Sequence, residues 1–167
     1  KLLSGILIIA VWKPGLKEIE RLDRNRLVWR VRVGDKPPRG PIGICKMSLL
    51  IIARVIKSKP QFINLHQVLL LAFAPVFRIL SSRSVIIYDA HELETETNGL
   101  GGVKKKALKL IEKGCIRFCK QIFVVSKSIE HWYRDNYGSR NIETVMNCPY
   151  QVCVPKTNHF RKEFAIN

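Results

Sequence analysis

Ser84-Val85-Ile86-Ile87-Tyr88-Asp89-Ala90-His91-Glu92-Leu93-Glu94-Thr95-Glu96-Thr97-Asn98 is a short apolar run that ends in a cluster of ionisable side chains. Val85 to Tyr88 is continuous rather than alternating, the pattern of a central strand covered on both faces. The polar groups begin at its carboxyl end, where open parallel sheets bind ligands. Asp89, His91 and Glu92 are therefore candidates for chemistry. Taken singly, Asp89 reads as a turn cap and His91 as an ordinary loop histidine; their joint position at a strand end is what raises them. Metalloprotease chemistry is excluded, because no second histidine stands four residues after His91.

Outward from this strand, apolar runs and helical patterns take turns. Gly5 to Trp12 reads as a buried strand closed by Pro14-Gly15. Arg26 to Val33 alternates, with Leu27, Trp29, Val31 and Val33 on one face and Arg26, Val28, Arg30 and Arg32 on a basic outer face. Gly34 to Gly43, rich in proline and glycine, is a loop. Ile44 to Ile56 is a helix almost encircled by apolar residues and edged by Lys46, Arg54 and Lys57, which fits a packed core helix or one resting on anionic lipid. Pro60 stops it.

Gln61 to Leu65 is the next strand, Val68 to Leu80 a helix, and Val103 to Cys119 a basic amphipathic helix. Gln121 to Val125 is again a strand, and Ser126 is placed to cap a helix over Lys127 to Asn136 that Gly138 ends. Ile142 to Met146 is the last strand. The alternation predicts an α/β, doubly wound, mainly parallel sheet.

The 167 residues suffice for one core, and 47% apolar with 25% charged residues describe a globular domain. The net charge of +16 is uneven. Residues 1–83 carry 16 Lys/Arg against 4 Asp/Glu, and residues 84–167 carry 13 against 9, an excess of +12 and +4 respectively. Such a field attracts nucleic acid, anionic headgroups or phosphorylated substrates. No aromatic RNA-binding strand, zinc-finger spacing or helix-turn-helix accompanies it, so nucleic acid is not the expected partner.

The five cysteines form no usual metal-binding pairs: Cys115 and Cys119 are a helical turn apart, and Cys148 and Cys153 are separated by four residues. Reduced thiols are the default. Leu2 to Trp12 is too short to span a bilayer and lacks a cleavage site, and Val68 to Phe77 reads as a core helix, so no transmembrane segment is expected.

Four strand ends, taken in order, resemble the amino-terminal domain of family 4 glycosyltransferases of the GT-B fold. They are Pro60-Gln61-Phe62-Ile63-Asn64-Leu65-His66, Ile87-Tyr88-Asp89-Ala90-His91-Glu92, Ile122-Phe123-Val124-Val125-Ser126 and Glu143-Thr144-Val145-Met146-Asn147-Cys148-Pro149. The resemblance covers about residues 1–150 and implies a Rossmann-like acceptor-side domain truncated at its first strand and helix, with residues 151–167 as a connector towards an absent donor-binding domain. It implies retaining transfer of a sugar from a nucleotide-sugar donor to a lipid-linked or glycan acceptor in cell-surface glycan synthesis. No metal or other cofactor is required in that fold.

Residue by residue, the resemblance places His91 near the reacting carbon of the sugar, with Asp89 holding its tautomer and Glu92 on acceptor hydroxyls. His66, Ser126 and Glu94 would line the same cleft, and Asn147 and Pro149 would form the hinge. A cytoplasmic protein peripheral on the inner, anionic face of the membrane is the expected setting. The alternatives are a non-catalytic basic α/β module that binds nucleic acid, and another GT-B enzyme such as a sugar-nucleotide epimerase.

Overall fold

The computed structural model describes residues 5–34, 40–97, 99, 101–138, 141–147 and 163. Among the described residues seven strands and five α-helices follow one another: β1 (Ile6–Val11), β2 (Ile19–Arg21), β3 (Arg26–Val31), α1 (Gly40–Ser58), β4 (Phe62–Leu65), α2 (Val68–Leu71), α3 (Ala74–Leu80), β5 (Val85–Ala90), α4 (Gly102–Cys115), β6 (Gln121–Val124), α5 (Lys127–Tyr137) and β7 (Ile142–Thr144). The chain is α/β. Its main sheet is all parallel in the order β4-β5-β6-β7, and a second, three-stranded sheet has the order β1-β3-β2.

The main sheet follows from its sequence pattern. In β5, Ile86, Tyr88 and Ala90 are buried while Val85, Ile87 and Asp89 are half-buried, so one face carries the core and the other is partly open. Ile63 and Leu65 of β4, and Ile122 and Val124 of β6, point into the same core, joined by Val68, Leu71, Ala74 and Phe77 from α2 and α3. Val31 of β3 and Ile51 and Val55 of α1 belong to this core too, so the two sheets share one interior without pairing their strands. Among the described residues the outer edges of β1 and β4 pair with no further strand.

Three local expectations are corrected. Strand and helix do not alternate between β1 and β3; that connection holds β2, which pairs antiparallel with β3. The Asp23 carboxylate makes the turn by accepting the backbone N–H of Asn25 and Arg26, both at 2.8 Å, and it also pairs with the Arg26 guanidinium.

The helix expected over Val68 to Leu80 is two short helices. Pro75 has no N–H to offer the Leu71 carbonyl, and its ring would clash there, so the chain breaks at Ala72 and Phe73. Val28, placed by its alternation on a basic outer face, is buried. It sits mid-strand in the centre of the small sheet, between Ile8 and Glu20, so cross-strand neighbours cover it on both sides.

Candidate functional site

The site is built by register. β4 and β5 run parallel with Leu65 opposite Tyr88, so the next positions, His66 and Asp89, also fall side by side. Because successive side chains alternate across a sheet, His66 and Asp89 leave the face opposite the buried Leu65 and Tyr88. His91, two residues beyond Asp89, returns to the same side. The sequence pattern that buries Leu65, Tyr88 and Ala90 thus forces three polar side chains together at the carboxyl rim.

Their polar atoms meet closely. Asp89 Oδ2 lies 3.2 Å from His66 Nδ1 and 3.4 Å from His91 Nε2, and the two imidazole nitrogens are 3.3 Å apart. The rings are parallel within 10° with centroids 5.4 Å apart, which is farther than the nitrogens, so the nitrogen-bearing edges face each other. Both imidazoles are 52% exposed and the Asp89 carboxylate 20% exposed. The cluster is therefore open to solvent on one side and seated on the sheet on the other.

The other expected site residues divide. Glu94 is half-buried, and its Oε2 accepts the backbone N–H of Val68 at 3.1 Å, clasping the loop after β5 to the start of α2. Glu92 is exposed, and no hydrogen bond or ion pair joins it to the cluster among the described residues. Ser126 caps α5, its Oγ accepting the N–H of Ile129 at 3.3 Å, and also lies 2.9 Å from the Ser128 hydroxyl. Asn147 is exposed, three residues after β7. Pro149 lies outside the described residues, as do Cys148 and Cys153.

Cys115 and Cys119 are partly buried where α4 ends. Burial pushes both thiols up, Cys119 to about 12, which keeps them protonated and weakly reactive. Two hollows of the described surface lie away from the histidine rim. One of about 260 Å³ is lined by Gly5, Leu7, Arg21, Arg24, Asn25 and Leu27 among others, at the opposite ends of β1 and β3.

Sequence reading missed the support beneath the rim. Glu112 of α4 is fully buried. Its Oε1 accepts the hydroxyls of Tyr133 at 2.5 Å and Tyr88 at 3.2 Å, and its Oε2 those of Tyr137 at 2.7 Å and Thr95 at 3.2 Å. Four elements are thereby tied to one carboxylate. Tyr88 adjoins Asp89 and Thr95 follows His91 in the loop, so the network holds both ends of the segment that carries the site.

A signal existed. Glu112 shares a helical face with Leu108 and Cys115, apolar neighbours one turn away on either side. In the same loop Glu96 pairs with Lys105 at 2.7 Å and with Lys109, and the ammonium of Lys105 holds its carboxyl below the usual range.

No family model matches the chain, and no curated protein matches it. Two imidazoles and a carboxylate at one exposed rim can orient hydroxyls, hold a proton between them, or donate three electron pairs to a cation.

Proposed function

We propose that the chain is the acceptor-side lobe of a retaining glycosyltransferase that moves a sugar from a nucleotide-sugar to a lipid-linked or glycan acceptor. The observation that carries this reading is the convergence of His66, Asp89 and His91 at the carboxyl ends of β4 and β5, exposed on the side from which a facing lobe would present an activated sugar. Among the described residues β1 and β4 each leave one parallel edge without a partner strand, as a larger doubly wound sheet would require.

In this reading His91 orients a sugar hydroxyl beside the reacting carbon, and Asp89 fixes the imidazole. His66 lines the same rim. Glu94 contributes by positioning, through its bond to the start of α2, rather than by touching sugar. Departure of the nucleoside diphosphate needs fixed positive groups, which a donor-binding lobe would supply.

The setting is an anionic membrane surface. No described helix is long and apolar enough to cross a membrane. α1, however, leaves Ile42, Ile44, Leu49 and Leu50 exposed while only Ile51 and Val55 are buried, and Lys46 and Lys57 stand on its surface. Ile42, Leu49 and Leu50 share one helical face with Lys46 and Lys57, and apolar side chains interleaved with cations suit contact at headgroup level.

The test is release of nucleoside diphosphate from a panel of nucleotide-sugars by the protein with its donor-binding lobe, with lipid-linked acceptors supplied. His91→Ala should lower kcat by about two orders of magnitude with a smaller change in donor KM. An unchanged kcat removes His91 from the site. Salt-sensitive binding to RNA or DNA, with His91→Ala indifferent, would favour a nucleic-acid module instead.

A further inference from the structure

We propose that His66, Asp89 and His91 form a binding site for a divalent transition-metal ion of the zinc class. His66 Nδ1, His91 Nε2 and Asp89 Oδ2 stand at the corners of a nearly equilateral triangle with edges of 3.2, 3.3 and 3.4 Å. Two ligand atoms held about 2.0–2.1 Å from a zinc ion at the tetrahedral angle are about 3.3 to 3.4 Å apart. The triangle is thus already the size of one face of a tetrahedral zinc site. An ion at that bonding distance from all three would lie about 0.8 Å above their plane.

The donor set selects the class of ion. Two imidazoles with one carboxylate suit zinc, cobalt, nickel or copper, whereas magnesium and calcium require shells of oxygen ligands. One shared proton would join only two of the three atoms, while a cation would draw on all three electron pairs. Because the imidazoles are half exposed, the fourth coordination position faces solvent and would hold water. Both histidines follow strand ends fixed by parallel pairing, so the ligands come from two neighbouring strands of one sheet rather than from a free loop.

The site does not depend on the glycosyl-transfer reading. It needs no donor sugar and no second lobe, so metal binding and sugar transfer can fail separately. Where both hold, the ion and the sugar compete for the same imidazole electron pairs, and zinc would inhibit transfer.

The experiment is titration of the reduced chain with Co²⁺ alone, read by its visible d–d absorption, followed by displacement with Zn²⁺. One equivalent should bind with the intense bands of a tetrahedral nitrogen and oxygen environment. His66→Ala and His91→Ala should each weaken binding at least tenfold, while His131→Ala, at an exposed position of α5, leaves it unchanged.

Independently of any variant, Zn²⁺ should shift the imidazole resonances of His66 and His91 together and spare His131. Binding that persists in the His66→Ala/His91→Ala double variant overturns the proposal. So does a sulfur-to-cobalt charge-transfer band, which would assign the ion to cysteine, and so does the absence of any shift at the two imidazoles.

Discussion

The hydroxyl of Tyr133 donates to the carboxylate of Glu112 at 2.5 Å in a part of the interior where both residues are fully buried. Tyr88, Tyr137 and Thr95 donate to the same two oxygens, so α4, α5, β5 and the loop carrying His91 and Glu94 share one polar centre. A buried carboxylate is costly unless satisfied, and this one is satisfied four times. The consequence is specificity of placement beneath the candidate site.

Glu112→Leu should destabilise the fold by about 3 kcal/mol or more, because four hydroxyls lose their acceptor and three of them, on Tyr88, Thr95 and Tyr133, are buried. Tyr133→Phe, which removes one donor and keeps the ring, should cost about 1–2 kcal/mol. Urea denaturation of the two variants checks the order. Equal costs would mean that the Tyr133 bond alone, rather than the carboxylate's four bonds together, holds this region.

Alkaline pH tests the same centre from the other side. Burial, followed by the electrostatic influence of Glu112, raises Tyr88 well above its ordinary value of 10, and burial followed by Tyr88 and Glu112 raises Tyr133. The folded state therefore keeps its phenol protons at a pH where the unfolded chain releases them. The tyrosine contribution to stability should be level below pH 10 and be lost as pH rises past it, and Tyr133→Phe should make that loss shallower. Phenolate absorbance and unfolding, followed together, should rise in one step rather than two.

Much of this was legible beforehand, and what was not has physical causes. The runs at 61–65, 85–88 and 121–125 announced parallel strands because they are largely apolar and bounded by turn residues. The rim followed at once, since any polar residue just past such a strand must sit there. β2 was hidden because three residues cannot show a period, and its pairing is fixed by Asp23 in the turn.

The break at Ala72 and Phe73 could have been read from Pro75, which forbids the continuous helix that the apolar pattern invites. The meeting of His66 with His91 required the register of β4 on β5, which no single segment carries. The four partners of Glu112 could not be read in this way, because they lie 17 to 25 residues away in sequence.

Acid should loosen the last strand first. Glu130 of α5 is held at about 2, below its ordinary 4.5, by hydrogen bonds from Lys127, Thr144 and Arg134. The Thr144 bond, at 2.6 Å, ties α5 to β7. A lowered carboxyl adds stability that is complete above pH 4.5 and is lost as pH falls from there towards 2. Glu130→Gln should flatten that limb of the stability curve, and amide exchange in β7 should accelerate in the wild type over the same interval.

The proposed membrane association rests on α1 and on the excess of positive charge. Exposed Ile42 and Leu49 lie on the same helix as Lys46 and Lys57, so an apolar contribution and an electrostatic one act on one surface. Vesicles containing anionic lipid should float with the chain at low salt, and uncharged vesicles should carry much less of it. Each cation near the surface contributes about 1 kcal/mol, so Lys46→Glu/Lys57→Glu should reduce binding more than tenfold. Leu49→Asp should reduce it as well, and only the lysine variant should lower the sensitivity to salt. Binding indifferent to lipid charge, or unaffected by Leu49→Asp, would place the helix against protein and leave the positive field to serve a soluble polyanion.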